Sequence, residues 1–133
     1  MSSTPASRAA VRRPKYYDLS LAHLPPPGLV SIFHRVSGLL LFFPVLPLLL
    51  WFLQSTLASE EGFHRFAGFY AHPIVKLVLL AFVWAYAHHF FAGIRYLFLD
   101  MHMGVAKQPA RTSAVAVLVL GVLTTIAVGV CIW

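Results

Sequence analysis

Long apolar runs separated by short polar stretches organise this chain. The runs extend from about Leu29 to Leu53, Ile74 to Leu99 and Ser113 to Trp133. Each reaches the roughly 20 residues that a helix rising 1.5 Å per residue needs to cross a hydrocarbon core about 30 Å thick. The pattern predicts an all-α membrane protein with three transmembrane helices. Pro44 and Pro47 interrupt the first run, but spanning helices tolerate proline where local adjustments satisfy the freed carbonyls. The reading is therefore one kinked span, with Gln54 to Pro73 as the loop behind it. Residues 1–28 form an N-terminal segment ahead of a membrane domain covering 29–133.

Charge adds an orientation. The N-terminal segment carries Arg8, Arg12, Arg13 and Lys15 against Asp18, the first loop carries Glu60 and Glu61 against Arg65, and Lys107 and Arg111 mark the second loop. Cytoplasmic loops are enriched in Lys and Arg, so the N-terminus and second loop are expected in the cytoplasm and the C-terminus in the periplasm. Trp51 and Trp133 then fall near the outer interface, where aromatic belts form. The first apolar run starts late and is too long for the core of a cleaved signal, and the Ser/Arg-rich start is too short to favour a transit peptide.

Composition narrows the function classes. The chain has 133 residues, 59% of them hydrophobic and 11% charged, with a mean hydropathy of +0.79, which leaves no room for a separate soluble enzyme domain. A formal charge of +6 could suggest nucleic acid, but the basic residues lie in tails, loops and span ends instead of one stripe. The single cysteine, Cys131, excludes an internal disulfide or a multi-cysteine cluster site within this chain, and its place in the last span marks it as a packing residue.

Ionisable groups inside apolar spans are expensive and usually face a partner, a cofactor or a substrate path. Two clusters qualify: Ser31, His34 and Arg35 at the start of the first run, and His88, His89 and Arg95 within the second. On a helix, Ala81, Ala85, Ala92, Gly93, Tyr96 and Asp100 share the face of His89. These small residues form a shallow trough against which a flat group could lie. His88 points about 100° away, toward Trp84, Phe91 and Arg95, and reads as structural. Spacing alone leaves His89 open between a haem ligand and a histidine hydrogen-bonded across a helix interface. Arg95 reads as a side chain snorkelling to lipid phosphates. Ser31, His34, Arg35 and Gly38 share one face of the first helix, forming a donor-rich patch suited to haem propionates or a quinone head-group. One histidine at mid-depth cannot complete a bis-histidine haem site, so any second ligand belongs to another polypeptide.

These residues resemble the cytochrome b membrane-anchor subunits of succinate dehydrogenase (succinate:quinone oxidoreductase, complex II). The resemblance rests on Arg13-Pro14 followed by Leu19 and Pro26, on Ser31-x-x-His34-Arg35-x-Ser37, and on His89-x-x-x-Gly93-Ile94-Arg95 continuing to Asp100. It covers nearly the whole chain, from Arg13 to Trp133. Tyr96 stands where the family often has histidine, and Lys15 where it has an apolar residue. The resemblance implies half of a two-subunit helical anchor, with haem b shared between this chain and a second anchor subunit that supplies the other ligand. It also implies docking to an iron–sulphur subunit and a flavoprotein. His89 would be an axial ligand of the haem iron, His34 and Arg35 would lie near the propionates, and Ser31 and Arg35 would bind ubiquinone. Succinate oxidation would belong to the flavoprotein. The implied location is the bacterial inner membrane, with the mitochondrial inner membrane as the alternative. Two rivals remain: a haem-free anchor of a fumarate reductase, and a small transport or structural subunit, which would lack a paired intramembrane carboxylate because Asp100 sits at a span boundary.

Overall fold

The computed structural model of the chain describes residues 24–133, all of it helix and connecting turns. Arg13-Pro14, Leu19 and most of the basic N-terminal segment lie outside the described residues. The elements are α1 (Pro26–Leu40), a π-helical turn (Leu41–Val45), α2 (Leu46–Ala58), α3 (Glu60–Tyr70), α4 (Pro73–Asp100) and α5 (Lys107–Ile132). Three continuous stretches, Pro26–Ala58, Pro73–Asp100 and Lys107–Ile132, are long and apolar enough to cross a membrane.

Proline shapes the first stretch twice. Pro26 and Pro27 open α1, where a missing N–H and a preset φ do no harm. Further along, Pro44 cannot donate to its own helix, and the backbone widens around it: the Leu46 N–H bonds the Leu41 carbonyl five residues back. A single wide turn absorbs the ring without ending the helix. The expected single span is therefore present, its break built as a π turn at Leu41–Val45. At 33 residues it runs about 50 Å, well beyond the hydrocarbon thickness.

The region read as a loop, Gln54 to Pro73, instead contains a helix. Ser59 Oγ accepts from the Gly62 N–H at 3.0 Å, and Glu60 and Glu61 occupy the first turn of α3, a capped start with acidic side chains at the positive end of the helix dipole. Phe66 anchors α3 on α2, with ring centroids 5.1 Å from Trp51 and 5.2 Å from Phe52. The sequence signal was present in the alternation of Phe63, Phe66 and Tyr70 with Glu60, His64 and Arg65.

α4 is the central element, packing along both α1 and α5, which also touch each other. Its core is made of small side chains: Ala85, Ala92, Val30 and Ala114 are fully buried, with Ala87 and Val117 nearly so. The large apolar residues point outward, Phe42, Phe43 and Leu57 among them. This inversion suits a bundle whose solvent is lipid, where close backbone approach, not hydrophobic burial, holds helices together. Cys131 follows the outward pattern and is exposed, so it is not the packing residue its position suggested.

Both ends of α4 are tied. Lys76 Nζ donates to the Ile132 carbonyl at 3.0 Å and lies 5.3 Å from the Trp133 ring centroid, capping the C-terminus of α5 with a cation. At the other end His102 takes a left-handed conformation (φ 59°), and the His102 and Met103 N–H groups close on the Leu99 and Phe98 carbonyls at 2.9 and 3.0 Å. This pair of bonds is a Schellman motif.

Candidate functional site

The two polar clusters meet on the α1–α4 seam. The imidazoles of His34 and His89 stack with centroids 4.2 Å apart and planes 10° from parallel. Tyr96 tilts over the outer face of His34, its centroid 5.1 Å away. Gly38 lets α1 approach, since a Cβ there would lie 2.9 Å from His89 Cε1. The small-residue face of α4 is used, though not as an open trough. Ala85 and Ala92 are sealed in the bundle core, and the flat group lying against His89 is the His34 ring.

Hydrogen bonds fix which nitrogen of His89 carries its proton. Nδ1 sits 3.1 Å from the His34 carbonyl oxygen and 3.2 Å from Ser37 Oγ. The Ser37 hydroxyl donates its own proton to that same carbonyl at 3.0 Å. A carbonyl only accepts, and a hydroxyl whose proton is committed also accepts, so neutral His89 is protonated at Nδ1 and keeps its lone pair on Nε2. No hydrogen bond reaches Nε2 among the described residues. An imidazole that donates through one nitrogen to a backbone carbonyl and offers the other is the usual state of a metal-ligating histidine. The donor chemistry therefore fits a haem iron.

Ser37 stands in the Ser31-x-x-His34-Arg35-x-Ser37 motif, but sequence reasoning gave it no role. It is fully buried and it fixes the tautomer. Its position three residues after His34, on the same helical face, was the available signal. The face drawn through Ser31, His34, Arg35 and Gly38 splits in space: His34 and Gly38 turn toward α4, Arg35 is exposed, and Ser31 is half-buried. Arg35 follows His34 directly and so points about 100° away from it.

His88 and Arg95 occupy the other seam. His88 is fully buried, stacks on Trp84 at 5.4 Å and meets Phe33 edge-on at 5.8 Å. Gly121 of α5 passes its backbone, where an added Cβ would sit 3.6 Å from His88 Cα. Among the described residues neither ring nitrogen has a hydrogen-bond partner. The expected snorkelling of Arg95 does not occur. Arg95 is only 7% exposed, and folds onto α5, donating from Nε to Ser113 Oγ at 3.0 Å and from Nη2 to the Ala110 carbonyl at 3.2 Å. A carbonyl and a hydroxyl at the start of α5, distant in sequence, outcompete the lipid surface for the guanidinium.

Comparison with known proteins identifies the family of the chain as a whole. The family described as "Succinate dehydrogenase/Fumarate reductase transmembrane subunit" matches residues 9–128. A succinate dehydrogenase cytochrome b556 subunit of Coxiella burnetii is 35% identical, over 92% of this chain and 98% of its own length. Proteins of the same name from Rickettsia felis and Paracoccus denitrificans are 32% and 30% identical, each over 86% of this chain and over 88% and 90% of their own lengths. These relatives do not favour the fumarate reductase alternative.

Proposed function

The chain belongs to the succinate dehydrogenase cytochrome b membrane-anchor family, and we propose that it supplies one axial haem ligand and part of a ubiquinone-reduction site. The partners in this reading are a second anchor subunit, an iron–sulphur subunit and a flavoprotein, in the bacterial inner membrane with the second loop toward the cytoplasm. The observation that carries the reading is the His89 imidazole, held at Nδ1 by the His34 carbonyl and Ser37 with Nε2 left to bind.

His89 would hold haem b through Nε2, and the haem when bound supplies one-electron redox chemistry between the two anchors. The protein's part is to keep the ring from turning. Two acceptors on Nδ1 fix its tautomer and raise the basicity of Nε2, while stacking on His34 restricts its tilt. His34 and Arg35 would provide positive charge or donors for propionates. Arg35, exposed on α1, and half-buried Ser31 would donate to the carbonyl oxygens of a quinone head-group and so orient it for reduction. Succinate itself would be oxidised on the flavoprotein, with the electrons arriving through the iron–sulphur subunit.

The test is purification of the intact complex from membranes with a dithionite-reduced spectrum. Wild type should co-purify with flavoprotein and iron–sulphur subunits and show a b-type band; His89→Ala should lose or shift that band, and His88→Ala should keep it. Recovery of the chain without those partners, or a band indifferent to His89→Ala, would overturn the reading.

A further inference from the structure

His89, Gly93 and Tyr96 stand at i, i+4 and i+7 on α4 and so share one face. The His34 ring of α1 enters that face like a wedge. His89 lies stacked against one side of it, centroids 4.2 Å apart, and Tyr96 covers the other at 5.1 Å. Residue 93 leaves room between them: the nearest atom that a Cβ there would meet is His34 Nε2, at 3.9 Å. No hydrogen bond reaches the His34 ring among the described residues; only its backbone carbonyl is engaged, by His89 and Ser37. The two α4 rings are therefore what hold the His34 ring in place.

That contact supplies what the hydrogen bonds of His89 cannot. The bonds at Nδ1 locate one atom and select a tautomer, but a ring pinned at a single nitrogen can still tilt about it. Its plane is set by what presses on its face, which is His34.

Tyr96 is itself fixed from the opposite seam. The Arg95 guanidinium lies over its ring, Cζ 5.5 Å from the centroid, within reach of a cation–π contact. This guanidinium cannot swing freely, because it is only 7% exposed and donates to Ser113 Oγ and the Ala110 carbonyl. Tyr96 also packs against the buried cluster formed by Val30, Ala92, Ala114 and Val117. A continuous series of contacts thus runs from Ser113 on α5 through Arg95, Tyr96 and His34 to His89.

We propose that Tyr96 is a positioning residue for His89: it holds His34 flat against the imidazole and so sets the plane of that ring, while Arg95, anchored on Ser113, holds Tyr96. The proposal rests on the reading of His89 as an axial haem ligand. Groups outside a ligand orient it and thereby tune the metal, and here the orienting groups reach as far as α5. The flat face of Tyr96 acts, and its hydroxyl does not.

The test uses the intact complex purified from membranes in its oxidised state. Electron paramagnetic resonance gives the largest g value of the low-spin ferric haem, which follows the angle between its two axial imidazole planes. Redox titration of the b-type band supplies the midpoint potential of the same samples. Tyr96→Leu removes the flat face and should shift both; Tyr96→Phe keeps the face and should match wild type. Ser113→Ala, which releases Arg95 Nε, should move the g value in the same direction as Tyr96→Leu but less far. Lys76→Met perturbs the far end of the bundle and should leave it unmoved, separating ring orientation from a general loss of stability. Should Tyr96→Leu fail to assemble, Ser113→Ala decides alone. An unmoved g value in Tyr96→Leu or Ser113→Ala, or an equal shift in Tyr96→Phe or Lys76→Met, would overturn the proposal. A wild-type signal that disappears in His89→Ala but ignores Tyr96→Leu overturns this proposal and leaves the haem reading standing, whereas a wild type without the b-type band overturns both.

Discussion

Gly38→Ala is the sharpest single perturbation of the α1–α4 seam. A Cβ at residue 38 would stand 2.9 Å from Cε1 and 3.4 Å from Nδ1 of His89, closer than carbon atoms in ordinary contact, so the ring must retreat by about half an ångström. Its bonds to the His34 carbonyl and Ser37 Oγ begin at 3.1 and 3.2 Å, and that displacement carries them to the edge of hydrogen-bonding distance. Weakening two such bonds costs about 1 kcal/mol each. Alanine returns roughly 0.5–1 kcal/mol through its better helix propensity. The net expectation is about 1 kcal/mol of destabilisation, together with a loosened His89 ring. The complex should therefore show a small fall in Tm and a clear change in the b-type band or its midpoint potential. Gly121→Ala is the matched control, because its Cβ would meet His88 at 3.6 Å, an ordinary contact. An unaltered spectrum and potential in Gly38→Ala, or equal disturbance by Gly121→Ala, would refute the claim that residue 38 is glycine to make room for a hydrogen-bonded His89.

Two further substitutions probe the rest of the bundle. His88→Leu removes two buried ring nitrogens that lack partners among the described residues, so it should be neutral or stabilise the complex by about 1–3 kcal/mol; a marked fall in Tm would show that His88 makes an essential polar contact after all. Lys76→Met keeps the aliphatic stem but removes the bond to the Ile132 carbonyl and the cation over Trp133. It should cost about 1–2 kcal/mol and speed hydrogen exchange at the end of α5, and unchanged exchange there would count against a capping role.

The sequence by itself determined the class and the cast. Runs of apolar residues at membrane-spanning length fixed three helices, because no soluble core accommodates them, and the cost of polar groups in hydrocarbon singled out His34, His89 and Arg95 before any geometry was known. Helical spacing also distinguished His89 from His88, since adjacent residues on a helix cannot share a face. The tertiary structure decided what each face meets. α4 is apolar nearly all round, so its hydrophobic pattern carries no record of which side packs on α1 and which on α5. That allocation depends on close approach at small residues, Gly38 against His89 on one seam and Gly121 against His88 on the other. Arg95 shows the same limit: its position predicts a reach to the lipid surface, but Ser113 and Ala110 come within hydrogen-bonding distance only when α5 folds back. Ser37, which reads as one more polar residue in a motif, becomes a determinant of the His89 tautomer only because residues 52 apart meet. Hydrophobicity is summed along the chain and can be read there; hydrogen bonds and close contacts between helices depend on which residues the folded bundle brings together.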